Sequence, residues 1–178
     1  MQQRVVVETK VDFKEIKSGL FNDKPANAVL LLPVNAYIKS NGKAVMAMGC
    51  ALVAKARFKG IDANWGSALE AQGRRRGNYG LYKTEAVGNR PAIIWQKPKD
   101  PIIVAFPTQW EFNKKADLSL IERSLSDVLA MADHYKWSNI YLPAIGTGCG
   151  QRSWKTEIKP ILIDYLDNRF TVCHLGNF

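Results

Sequence analysis

Short apolar runs alternate along the chain with longer stretches of helical periodicity. Val5 to Val11 and Glu15 to Gly19 read as two paired strands joined through Asp12-Phe13-Lys14. Ala28 to Pro33 is an unbroken apolar run, the pattern of a strand covered on both faces. Asn35 to Lys43 is polar and turn-forming, and Ala44 to Phe58 then brings small and apolar residues back at helical spacing, among them Val45, Met48, Leu52 and Ala56. A strand, a loop and a helix are thus expected in succession.

Between Gly60 and Lys99 the pattern is less regular, with a helix expected over Asn64 to Gln72 and strand pieces around Leu81 to Ala86 and Ala92 to Gln96. Pro101 to Phe106 is a second buried strand, ended by the loop Pro107-Thr108-Gln109-Trp110 because proline cannot donate to a ladder. Asp117 to Tyr135 carries the clearest helical signal, with Ile121, Leu125, Val128, Leu129 and Ala132 on one face and Ser119 with Glu122 at capping-box spacing. Asn139 to Leu142 is the next strand, a last helix begins near Trp154 with Pro160 about a turn in, and Phe170 to Leu175 is the terminal strand. Strands alternating with helices point to an α/β domain with helices on both faces of a sheet, formed by residues 1–178 as one unit.

Composition narrows the class. The chain has 178 residues and 47% hydrophobic content, enough for a real core, and disordered, collagen-like and solenoid classes are excluded. No apolar stretch approaches the roughly 18 to 20 residues of a spanning helix, so no membrane partner is expected. With 25 Lys and Arg against 16 Asp and Glu the formal charge is +9, which favours anionic partners: nucleic acid, nucleotides or phosphorylated ligands. The densest basic run, Arg74-Arg75-Arg76, lies between Gly73 and Gly77 and ahead of Tyr79 and Tyr82. It reads either as a solvated turn or as a grip on a phosphate backbone. Three widely spaced cysteines, Cys50, Cys149 and Cys173, fit a reducing cytoplasm and neither a disulfide framework nor a zinc site; no metal and no cofactor are expected.

Two glycine-bearing loops carry the candidate chemistry. Asn41-Gly42 through Gly49 and Gly146 through Gly150 each follow a buried strand and precede a helix. There, loop amides and the free amides of a helix start can converge on an anion, and glycine lets the chain approach without a Cβ in the way. The first loop lacks the Gly-Lys-Ser/Thr ending of a phosphate-binding P-loop and the glycine spacing of a dinucleotide fingerprint.

The order of these pieces resembles that of the macrodomains, modules that recognise ADP-ribose. The resemblance rests on Val5-Val6-Val7-Glu8-Thr9-Lys10-Val11 as an opening strand, Ser18-Gly19-Leu20-Phe21 as a first turn, and Leu32-Pro33-Val34-Asn35 as a strand ending in asparagine. Val45-Met46-Ala47-Met48-Gly49-Cys50-Ala51-Leu52 resembles the first binding loop entering its helix. Phe106-Pro107-Thr108-Gln109-Trp110 and Leu142-Pro143-Ala144-Ile145-Gly146-Thr147-Gly148-Cys149-Gly150, followed by Trp154, resemble most the branch that includes the DarG-type antitoxins. The fold implied is a three-layer α/β/α sandwich around a central mixed sheet, with a ligand cleft where the two loops meet. The ligand-binding residues implied are Asn35, Asn41, Gly42, Met48, Gly49, Thr108, Gly146, Thr147, Gly148, Cys149 and Gly150, with Trp110 and Trp154 bordering the cleft, either stacked on ligand or packed in the core.

Two departures stand beside the matches. The family's adenine-binding Asp is replaced by Leu20, with Asp12 and Asp23 nearby, and the lysine that follows Phe-Pro-Thr in the DarG-type branch is Gln109. Glutamine cannot be a nucleophile or a cationic stabiliser. Asn35, Asn41 and Gln109 remain as catalytic candidates, for orienting a ribose or a water and not as general bases. His134 and His174 read as structural or surface residues, and Cys149 as a small loop-filling thiol. The leading expectation is therefore binding of ADP-ribose or a related nucleotide diphosphate, free or attached to protein or DNA. The alternatives are an ADP-ribosyl hydrolase or ADP-ribose-phosphate phosphatase, and a nucleic-acid-binding module.

Overall fold

In the computed structural model, residues 12–77 and 87–175 are described. Six strands form one sheet: β1 (Lys14–Lys17), β2 (Val29–Val34), β3 (Ala92–Trp95), β4 (Ile102–Pro107), β5 (Ile140–Pro143) and β6 (Phe170–His174). Their order across the sheet is β1-β6-β5-β2-β4-β3. Every pairing is parallel except that of β3 with β4, so the sheet is mixed. Four helices accompany it: α1 (Gly49–Arg57), α2 (Ile61–Ala71), α3 (Leu118–Tyr135) and α4 (Lys159–Tyr165), the last entered through a π-helical turn at Trp154–Ile158.

The strand alternation builds two cores. Val29 and Leu31 of β2 with Val104 and Phe106 of β4 face α3 and α4, where Ile121, Leu125, Val128 and Leu162 meet them. The intervening Leu32, Ile103 and Ala105 face the opposite way, onto Ala54 of α1 and Ile61, Trp65 and Leu69 of α2. With both faces covered, β2 and β4 read as continuous apolar runs, and the product is the expected α/β/α sandwich. β1, whose four residues are all exposed, is the outermost strand among the described residues and carries Lys14, Glu15 and Lys17. Among the described residues no helix is long and apolar enough to cross a membrane.

Several expected boundaries move, for physical reasons. α1 begins at Gly49 and not at Ala44: Ala44 instead bridges to Ile38 and its amide donates to Asp62 O, which holds residues 44–47 extended. The face of α1 turned to the interior is made of the small residues Cys50, Ala51 and Ala54, so Leu52 and Ala56 of the expected apolar stripe are exposed. Ser119 and Glu122 do not cap α3, since Ser119 lies within its first turn. Asp117 is the cap, its Oδ1 accepting from the amides of Ser119 and Leu120, while its Oδ2 accepts from Trp110 Nε1. Pro160 does sit in the first turn of α4, where its missing donor costs no helical bond. The expected strands Val5 to Val11 and Leu81 to Ala86, with Tyr79 and Tyr82, lie outside the described residues.

Candidate functional site

Because β1, β6, β5, β2 and β4 run parallel, their C-terminal ends share one edge of the sheet, and the segments after Lys17, Val34, Pro107, Pro143 and His174 gather there. A cleft of about 310 Å³ opens at this crest, at the lower end of the usual range for small-molecule sites. One wall is the second glycine loop, Pro143 to Gly150, and the other is the start of α1, Met48 to Ala51. Pro33, Thr108 and Gln109 line it on the β2–β4 side; Leu20, Cys173 and Leu175 line it on the β1–β6 side.

The second loop is built to leave amides over. Its carbonyls are consumed outward: Gly146 O accepts from Arg152 N, Gly148 O from Gln151 N and Gly150 O from Ala116 N, at 2.8 to 3.0 Å. Thr147 Oγ1 donates to Ala144 O and closes the turn out of β5. The Arg152 guanidinium donates to Ala116 O and pairs with Glu157, pinning the loop's far end to the start of α3 and to the π-helical turn. Among the described residues no acceptor takes the amides of Gly146, Thr147, Gly148, Cys149 or Gly150. Gly146, at φ +73°, and Gly150 are required by packing. A Cβ on Gly150 would stand 2.6 Å from Gly146 O and 2.8 Å from the Ala116 methyl, whereas one on Gly148 would meet nothing within 4 Å.

Across the cleft the chain swings into α1 through Gly49 at φ +57°, a left-handed conformation that favours glycine. The first amides of the helix have no acceptor within it, no acidic residue occupies its first turn, and Lys55 and Arg57 sit in its last, so its dipole faces an incoming anion unopposed. Among the described residues no Asp, Glu, Lys, Arg or His lines the cleft. An anion held here meets backbone amides and the neutral side chains of Thr108, Gln109 and Thr147, and any neutral group meets hydrocarbon, thiols, hydroxyls or amide side chains.

The structure brings Met48, Gly49, Thr108, Gln109 and the whole run Gly146, Thr147, Gly148, Cys149 and Gly150 to this one cleft. Asn35 lies beside it, in a side chamber of about 90 Å³ that it shares with Val45, Ala47 and Phe112, and that Met48, Gln109 and Cys149 border as well. Its amide is committed to the fold, since Nδ2 donates to Val45 O and Oδ1 accepts from Tyr37 N. Asn41 and Gly42 are not brought to the cleft. Asn41 Oδ1 accepts from Lys43 N in a tight turn, and Gly42 packs its carbonyl against Gly66 of α2, where a Cβ would stand 2.0 Å away. The Gln109 Nε2 donates to Lys114 O at 2.6 Å and ties the 109–114 loop.

The two tryptophans are core residues. Trp110 is covered by the Arg74 and Arg123 guanidinium groups, each 5.4 Å from its ring centre, and Trp154 packs edge-on against His174. Asp12 and Asp23 are exposed and line no part of the cleft. Of the arginine run, Arg74 is drawn into the fold, its Nε donating to Ala36 O, while Arg75 and Arg76 stay exposed and Arg76 pairs with Glu70. Sequence reading passed over Cys50 and Cys173 as site residues although both line the cleft. Their only signal was position, one just past a loop glycine and one near the end of a buried strand. Burial pushes both thiols up, so they are neutral groups in the cleft.

No protein-family model matches the chain, and no curated protein matches its sequence. Solved structures do. The macrodomain of Mycobacterium tuberculosis DarG is similar at a TM-score of 0.68 and 19% identity, over 94% of this chain and 100% of that one. The macrodomain of Thermus aquaticus DarG is similar at 0.65 and 20%, over 93% and 98%. Thermosipho africanus DarTG, solved in complex with ADP-ribose, is similar at 0.69 and 15%, over 93% of this chain, which spans 43% of that one. The chain has the macrodomain fold.

Proposed function

We propose that this protein binds ADP-ribose or a related nucleotide diphosphate, free or attached to protein or nucleic acid, in the cleft between the second glycine loop and the start of α1. The carrying observation is the run of five loop amides that, among the described residues, have no acceptor and lie across a cleft without charged lining from the start of a helix. Such a cradle is fixed before the ligand arrives, because the loop carbonyls and Arg152 are already bonded elsewhere, so little reorganisation opposes binding. A fold shared with a DarTG protein solved with ADP-ribose supports the choice of diphosphate.

Recognition is favoured over hydrolysis by the same lining. Among the described residues no carboxylate, imidazole or ammonium borders the cleft, and Gln109, in the position where the DarG-type branch carries a lysine, donates its amide to a loop carbonyl. The nucleic-acid alternative loses ground because Arg74 is committed to Ala36 O and Arg76 is paired with Glu70, although Arg75 and Arg76 remain exposed. Three free thiols fit a reducing compartment, and cytoplasmic residence is part of this proposal.

Calorimetric titration with ADP-ribose at two salt concentrations tests the reading. Saturable micromolar binding that changes little with salt is expected, since no side-chain charge takes part. Absence of heat, with steeply salt-dependent binding to DNA or RNA instead, would replace it with the nucleic-acid reading.

A further inference from the structure

The diphosphate cradle divides the cleft into two unlike ends. On the β2–β4 side lie Gln109, Asn35 and the side chamber of about 90 Å³, narrow and walled largely by Val45, Ala47, Met48 and Phe112. On the β1–β6 side lie Leu20 and Cys173 as a buried floor, Cys50 from the start of α1, and Leu175, 78% exposed, at the rim. The small chamber suits a compact group such as a sugar; a flat heterocycle needs the larger cleft of about 310 Å³, whose far end is apolar. Neither thiol is ionised, both being pushed up by burial, and a thiol is a poor acceptor. Among the described residues the apolar end therefore offers contact area to a ring face and no carboxylate for an exocyclic amine.

We propose that the base of the bound nucleotide diphosphate lies between Leu20, Cys50, Cys173 and Leu175 and is read by shape and apolar contact, so that the site takes purine diphosphate ribosides without selecting adenine. This rests on the diphosphate reading of the cleft. A site built to pair a ligand N–H rejects an analogue lacking it by orders of magnitude, because its own buried acceptor is left unsatisfied. A hydrocarbon and thiol lining has nothing to leave unsatisfied, so replacing the amine by a carbonyl changes little.

The test is calorimetry of the wild-type chain with three ligands: ADP-ribose, its hypoxanthine analogue inosine diphosphate ribose, and ribose 5-diphosphate, which has no base. The two purine ligands are expected to bind within about threefold of each other, and the base-free ligand about tenfold or more weaker. Leu175→Ala, at an exposed position whose truncation leaves the core untouched, is expected to weaken both purine ligands alike by about threefold and the base-free ligand not at all. A preference for ADP-ribose above about thirtyfold overturns the proposal while leaving the diphosphate site standing. So does a base-free ligand as tight as the purine ones, or an L175A variant that binds all three as wild type does. No binding of any of the three overturns the diphosphate reading itself, and this inference with it.

Discussion

Met48 Sδ and Cys149 Sγ stand 3.7 Å apart, joining the first loop to the second across the mouth of the cleft. Both residues border the main cleft and the side chamber, so their contact is the partition between the two. Met48 is 66% exposed, and its unbranched thioether has the freedom to swing off the thiol. A ligand lying across the cradle from the apolar end to the side chamber must pass this pair, and passage needs only a side-chain rotation.

Ligand is therefore expected to shield Cys149. Alkylation by iodoacetamide, followed by mass spectrometry of the intact chain and its peptides, should label Cys149 first, with buried Cys173 far behind. Saturating ADP-ribose should slow labelling of Cys149 by about fivefold or more. An unchanged rate would place the ligand away from the second loop.

The layers of the fold were legible where burial is two-sided. The unbroken runs at Leu30 to Leu32 and Ile103 to Phe106 can only be interior parallel strands, and the stripe from Ile121 to Ala132 can only be a packed helix face. The entry to α1 was not legible, because Ala44 to Ala47 reads equally well as helix or as extended chain. A long-range bond, Ala44 N to Asp62 O, decides it. The second loop's place in the cleft was readable because its glycines fall together in sequence. Asn41 and Gly42 look alike on paper but serve a turn packed on Gly66, and the thiol-lined end of the cleft is assembled from α1 and β6, far apart in the chain, with no local motif to announce it.

Glu15 joins β1 to α4 and β6, with Oε2 on Lys159 Nζ and Oε1 on His174 Nε2, each at 3.0 Å. Burial pushes its carboxyl up, but the Lys159 ammonium and His174 outweigh that and hold it below its ordinary value. A depressed folded pKa stabilises the fold above the unfolded value and loses that contribution as pH falls through the folded one. Glu15→Gln is expected to lower stability at pH 7 by about 0.5 kcal/mol, as for other partly exposed pairs. Urea titrations at pH 7 and pH 3 check this. The difference between variant and wild type should shrink at the lower pH, and a difference of equal size at both would mean that charge is not its source.

Asn35 separates a structural from a catalytic role. Its side chain closes the 35–45 segment through Tyr37 N and Val45 O, and its carbonyl accepts from the buried Trp65 Nε1. Asn35→Ala removes the side-chain partner of two part-buried backbone groups and is expected to cost about 1 to 2 kcal/mol in denaturant titration, with affinity for ADP-ribose reduced only modestly. Full stability combined with lost affinity would instead put the Asn35 amide on the ligand.

Gly148 and Gly150, two residues apart in one loop, are expected to fail in opposite ways. Gly148 faces open space, so Gly148→Ala should fold with wild-type stability, while Gly148→Glu should fold and yet bind no detectable ADP-ribose, because a carboxylate then competes for the amides meant for phosphate. Gly150 is closed in by Gly146 O and the Ala116 methyl, so Gly150→Ala must displace backbone that Ala116 N and Arg152 hold in place. That strain is expected to cost about 1 to 3 kcal/mol of stability. Thermal melting and calorimetry on the three variants give the answer. A G148E protein that still binds as wild type would move the diphosphate off this loop.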